Sequence, residues 1–261
     1  MQQVRPTTVL AGALLLNTAM AERHRGRQQN FIDLGESPLE QLAPSIPRIM
    51  TDSDVVSWYL VGNDYVWPRT LCRLAAQLIA QGGGRVHGTR FAPIGSGDYD
   101  AILDGIERSG SDVVLSCFFG ENAIRFERNF HARGLRRSIR TLATNFDDSL
   151  LDHVGIPAAS GLWASSDHAA DLARDTETGA RYTRRFGIAS PPLTGLARAA
   201  YDGVHLFGRA ADETRSLDPD TLARHIRTGS VGSSVIRRRV QGIFTPASVA
   251  TVTSHGFQPI S

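Results

Sequence analysis

The chain has 261 residues, with 28 basic and 26 acidic side chains giving a formal net charge of +2, and 41% of it is hydrophobic. That length allows one or two domains with a substantial core, and the near-neutral charge excludes a large electrostatic footprint for nucleic acid. Every basic residue is arginine, so a Walker-type phosphate loop, a pyridoxal Schiff base and a lysine nucleophile are all excluded.

The amino terminus supports two readings. Arg5, the apolar run Val9–Leu16 and Ala19-Met20-Ala21 imitate a secretory signal with a small-residue cleavage site. The alternative is an interior strand, Thr8–Leu16, running into a loop at Asn17-Thr18. No later segment approaches the length of a membrane span.

From Val55 the chain alternates strand and helix. Val55–Val61 is apolar and β-branched at its start, as a buried parallel strand should be. Thr70–Gln81 places Leu71, Leu74, Ala75, Leu78 and Ile79 on one helical face and ends at Gly82–Gly84. Arg85–Phe91 reads as a strand, Asp98–Arg108 as a helix, and Asp112–Phe119 (DVVLSCFF) as a strand. Asn122–Arg133 is a helix closed by Gly134, followed by short strands at Thr141–Ala143 and Gly161–Ala164 around a brief helix near Ser149. A polar helix from Ala169 to Phe186 precedes a linker at Gly187–Gly195. Helices then follow at Leu196–Asp212 and Thr221–Arg227, the second with Asp218 as cap and Pro219 in its first turn. The tail Val235–Gln258 is β-like, with Phe244, Val249 and Val252 as apolar anchors.

Repeated β-α units imply an α/β fold with a parallel sheet covered on both faces. The expected organisation is a remnant lobe and crossover at 1–54, a complete β-α lobe at 55–187, and return helices with the tail at 188–261. Flanks too short to fold alone suggest two lobes with the chain crossing between them more than once.

Tyr59–Arg69 (YLVGNDYVWPR) carries the most functional information. It leaves a strand through a Gly-Asn-Asp turn and presents Asp64, Tyr65 and Trp67 at the carboxyl end of that strand, where open α/β sheets bind ligands. Asp64 serves equally well as a turn or helix cap. Glu121 at a helix start suits the dipole without any ligand, and Asn145 and Asp147 fit an ordinary strand-to-helix turn. Tyr201 and His205, one helical turn apart, suit an interface or core better than a ligand. Arg237–Arg239 reads as a solvated face, and Gly95-Ser96-Gly97 lacks the spacing of a dinucleotide fingerprint or nucleophile elbow. Cys72 and Cys117 sit in apolar patterns and read as buried thiols. No Cys/His spacing suggests a metal site and no cofactor is expected.

Together, YLVGNDYVWPR, DVVLSCFFGENA (112–123) and AAYDGVHLFGRA (199–210) resemble the type I periplasmic solute-binding family, over about Phe31 to Ile243. The likeness is greatest to its urea and short-chain-amide branch, which includes the amide sensor regulating bacterial aliphatic amidase expression. The resemblance implies a parallel-sheet type I periplasmic-binding fold with one complete Rossmann-like lobe and an incomplete second lobe, because relatives carry a long preceding segment. Met1 is then an internal start or the gene is degenerate. It implies an interlobe cleft taking urea or a small amide, lined by Tyr65 and Trp67 and completed by Gly120, Glu121, Thr144, Asn145, Ser165 and Ser166. From the first lobe it brings Thr18, Glu22, Glu36 and Ser37. Relatives carry an aromatic near Met20 that this chain lacks.

Catalysis is disfavoured: Ser116, His168 and Asp167 form no local triad, and Cys117 lies mid-strand. Two binding roles compete, a cytoplasmic sensor coupled to a transcription regulator and an exported receptor feeding an ABC permease. The first is favoured by the weak signal and the lack of a lipobox cysteine. A truncated relative without binding activity, dimerising through exposed strand edges, is the third.

Overall fold

The computed structural model describes residues 7, 10–20, 30–53, 55–166, 177–187, 189–232 and 247–260. Two compact units divide the chain: Met1–Glu40 with Gly195–Thr245, and Gln41–Thr194 with Pro246–Ser261.

In the first unit, β1 (Leu15–Asn17) pairs in parallel with β2 (Phe31–Asp33). The strand expected over Thr8–Leu16 is confined to its last residues within the described chain. Apolar residues of this pair, Leu14, Leu16, Ile32 and Leu34, pack on Leu206, Ala210, Leu222, Ala223 and Ile226. These come from the helices α8 (Gly195–Thr214) and α9 (Pro219–Arg227). The expected cap holds: the Asp218 carboxylate accepts from Thr221 N at 2.8 Å.

Among the described residues of the second unit, seven strands lie in the order β4-β3-β5-β6-β7-β8-β9. They are β3 (Ser57–Asn63), β4 (Arg85–Ala92), β5 (Val113–Cys117), β6 (Arg140–Thr144), β7 (Trp163–Ser166), β8 (Ser248–Thr253) and β9 (Gly256–Pro259). The first five are mutually parallel; β8 and β9 add as antiparallel strands. The tail thus completes this sheet, with Val249 and Val252 buried; Phe244 and Arg237–Arg239 lie outside the described residues.

Helices alternate with the strands: α1 (Pro38–Ser53), α2 (Val66–Gln81), α3 (Asp100–Ser109), α4 (Glu121–Ala132), α5 (Asp148–Val154), α6 (Ile156–Ala159) and α7 (Glu177–Phe186). Of the polar helix expected from Ala169, only α7 falls in the described residues. One sheet face packs on α3 and α4 through Tyr59, Val61, Val114, Ile102, Ile106 and Phe126. Tyr99, Phe118, Phe126 and Phe130 form its aromatic centre, with Phe118 and Phe126 centroids 4.7 Å apart.

The same face buries an ion pair. Glu127, fully enclosed, meets Arg136, whose Nη1 donates to Thr141 Oγ1 at 2.9 Å. Burial raises the Glu127 pKa above its ordinary value, against the pull of Arg136 and of hydrogen bonds from Ser116, Arg136 and Thr141.

Candidate functional site

The chain enters this sheet at β3, moves outward to β4, then returns past β3 to β5. Right-handed crossovers therefore carry α2 and α4 to opposite faces, and β3 and β5 flank the topological switch point. The loops leaving these two strands open away from each other at the carboxyl edge, the kind of crevice at which open α/β sheets bind ligands.

Gly62 sets the β3 side. A Cβ there would lie 2.9 Å from both Cys117 O and Pro68 Cβ, so hydrogen alone lets the first turn of α2 settle on the sheet. Gly62→Ala is expected to cost about 1–3 kcal/mol by overpacking, read as a lower urea midpoint at unchanged slope.

That seating decides the aromatics. Tyr65 is the extended N-cap of α2 and half-buried at the edge. Trp67, two residues into the helix, is rotated inward and only 4% exposed, enclosed rather than displayed. Helix α2 starts at Val66 rather than at Thr70, which accounts for the difference from a freely presented ring. Asp64 is exposed and pairs with Arg69 at 2.6 Å.

Across the switch point, Asn63 at the end of β3 is 2% exposed, and its Oδ1 accepts from Phe119 N at 3.0 Å. Its Nδ2 has no partner among the described residues. Gly120 takes φ +55° to turn the chain into α4, with open space where a Cβ would be. Glu121 then pairs with Arg125 at 2.8 Å, and this hydrogen bond lowers its pKa.

At the ends of β6 and β7, Thr144 is buried with its hydroxyl beside the Cys117 thiol, and its Oγ1 makes no well-aligned hydrogen bond among the described residues. Asn145 adopts φ +61°, in the left-handed region that asparagine tolerates. Its Oδ1 accepts from Gln41 Nε2 at 2.9 Å. Ser165 is fully buried, and its hydroxyl donates to Gln41 O at 2.5 Å, a bond that accounts for its polarity. Asp147 caps α5 through Ser149 N and Leu150 N.

The structure therefore gathers Asp64, Tyr65, Gly120, Glu121, Thr144, Asn145 and Ser165 along one edge. Thr18 and Ser37 belong to the first unit. Ser37 closes a capping box, its Oγ accepting from Glu40 N at 3.3 Å and its N–H donating to Glu40 Oε2 at 2.8 Å. The methyl of Thr18 stands against Gly203. Glu22, His168 and Asp167 lie outside the described residues, as does the side chain of Ser166. The rings of Tyr201 and His205 meet at a tilt of 48° on α8, their centroids 4.2 Å apart.

Sequence reasoning missed Asn63 and Gln41. The polar pair ending β3 was the signal for the first; nothing local marks the second, whose partners lie far along the chain.

Among the described residues, catalytic groups are poorly supplied. Cys72 and Cys117 are buried and unbridged, and burial pushes the Cys117 thiol well above its ordinary pKa, the opposite of nucleophile activation. Ser116 is buried beside Glu127. Among the described residues no cluster of His, Cys, Asp or Glu is placed to hold a metal, and no helix is long and apolar enough to cross a membrane.

A family model described as periplasmic binding protein matches residues 2–248. Among solved structures, the chain is similar to a leucine-binding protein from Thermotoga maritima at 17% identity and TM-score 0.78, covering 98% of this chain and 74% of that one. It is similar to an amino acid ABC transporter substrate-binding protein from Pseudomonas fluorescens Pf-5 at 15% identity and TM-score 0.78, with coverage of 99% and 73%. A solute-binding protein from R. palustris in complex with 4-hydroxybenzoate is 14% identical at TM-score 0.75, with coverage of 99% and 74%. The mostly parallel α/β arrangement expected from the sequence is the fold shared with these proteins.

Proposed function

Because this chain belongs to the periplasmic binding protein family, we propose that the carboxyl edge of its second unit is one wall of a non-catalytic site for a small polar solute. The observation that carries this reading is the switch point itself. Half-buried Tyr65 stands on one side, glycine-opened space at Gly120 on the other, and the unpartnered Asn63 Nδ2 between β3 and β5. The enclosed Trp67 supports this wall from behind.

The solute we assign is urea or a short-chain aliphatic amide. Asp64 and Glu121, the carboxylates nearest the switch point, are both paired with arginines, so neither is left to hold an ammonium group. Asn63 offers a donor to a carbonyl, and the Thr144 hydroxyl can serve an amide N–H. A carboxylate solute is the second reading, favoured by the helix N-termini at Val66 and Glu121 on this edge and by the amino acid and 4-hydroxybenzoate named for the similar structures.

The relatives named for ABC transport favour an exported receptor working with an ABC permease over the cytoplasmic sensor. Coupling to an amidase regulator, and pairing of two copies, remain the alternatives that localisation and sedimentation would reveal.

Calorimetry on the full chain with urea, acetamide and butyramide, against leucine and benzoate, tests the assignment. Acetamide has so few non-hydrogen atoms that its ceiling is about −6 kcal/mol, or a Kd no tighter than roughly 40 μM. Tyr65→Ala is expected to weaken the bound amide about ten-fold through lost ring contact. Heat from leucine or benzoate alone would move the assignment to carboxylates. Silence from all five, with the protein folded, would end the solute-site reading.

A further inference from the structure

On the α4 face, near where β6 begins and so at the opposite end of the strands from Tyr65, lies a surface cavity of about 460 Å3. Its lining includes His131, Gly134, Arg136, Arg137, Pro157 and Ser160. Of these, Arg136 is a built element rather than a surface charge. Its side chain is 7% exposed, one Nη group meets Glu127, the other meets Thr141, and its plane lies over the Phe130 ring. The Nε–H remains without a partner among the described residues.

Around that fixed guanidinium, Arg137 and His131 have no carboxylate partner among the described residues. Neighbouring arginines are committed: Arg125 to Glu121, Arg128 to His153 O, and Arg133 to Asp100 and Asp104. The carboxyl end of α4 stabilises cations there, but Glu127 already neutralises Arg136. The concavity therefore has the charge of Arg137, unmatched by a carboxylate among the described residues, with a hydroxyl from Ser160 and an imidazole from His131. A guanidinium, a hydroxyl and an imidazole lining one concavity are groups that recognise tetrahedral or planar oxyanions through charge-assisted hydrogen bonds.

We propose that this cavity is a second binding site, separate from the solute edge, for a small oxyanion of the phosphate or carboxylate type. The full chain, labelled with 15N, is titrated with sodium phosphate and separately with sodium succinate, with ionic strength held constant by sodium chloride. Saturable shifts centred on the amides of Ala132, Gly134, Arg137 and Ser160 are expected. The more strongly binding arm identifies a phosphoryl or a carboxylate ligand.

Arg137→Gln, at an exposed position, should weaken that binding by about ten-fold or more by removing a charged donor. Ser160→Trp should block it by filling the mouth while leaving Arg137 in place. Shifts that rise linearly without saturation in both arms would overturn the proposal. So would saturable binding that survives both substitutions. Urea and amide calorimetry, read at the other end of the sheet, is independent of either result.

Discussion

Replacing Arg136 by alanine is expected to cost about 3–5 kcal/mol, because it strands Glu127 as an unpaired buried charge. The effect should depend on pH. The Glu127 pKa is already raised above its ordinary 4.5 by burial, and loss of Arg136 raises it further. The folded state then holds a proton that the unfolded chain releases, so stability falls as pH climbs from about the ordinary carboxylate value to the folded pKa, and levels off above it. Urea unfolding of the variant should show its smallest deficit at acid pH and its largest at alkaline pH. Removing both charges with Glu127→Gln and Arg136→Met should recover most of the loss. A deficit independent of pH, unchanged in the double variant, would mean that the pair is not what Arg136 stabilises.

Phe126→Ala is expected to be as severe, about 3–5 kcal/mol. Phe126 is fully buried and touches Tyr99, Phe118 and Phe130, so its removal leaves a cavity ringed by aromatics that cannot collapse around it. Phe126→Leu keeps much of the volume and should lose substantially less. Thermal and urea unfolding of both variants check this, and a loss below about 1 kcal/mol for the alanine variant would show a loosely packed layer.

Much of this architecture was legible before any coordinates. Val113–Leu115 and Cys117 are apolar because β5 is buried along its whole length, and Gly82–Gly84 marks the stop of α2. Asp218 with Pro219 announced α9. The β8–β9 hairpin was harder to place, since β7, the partner of β8, is remote in sequence and nothing in the local pattern names it.

Of the proposed site, the strand-end edge that carries it was legible in the sequence, but the contacts its residues make there were not. YLVGNDYVWPR located the switch-point loop. A one-turn earlier helix start then turned Trp67 inward while leaving Tyr65 at the rim. Ser37-Pro38-Leu39-Glu40 has the spacing of a capping box, and that local chemistry accounts for Ser37 without a solute. Ser165 and Asn145 owe their positions to Gln41, a long-range relation that no window of sequence contains.

The β8–β9 hairpin has a consequence for biosynthesis. Its backbone pairs with β7 only after α8 and α9 have been made, so a nascent chain on the ribosome carries the β7 margin uncovered during that interval. Until the closing hairpin emerges, that margin is a template for stray pairing, and chaperone demand should peak in this late window of translation.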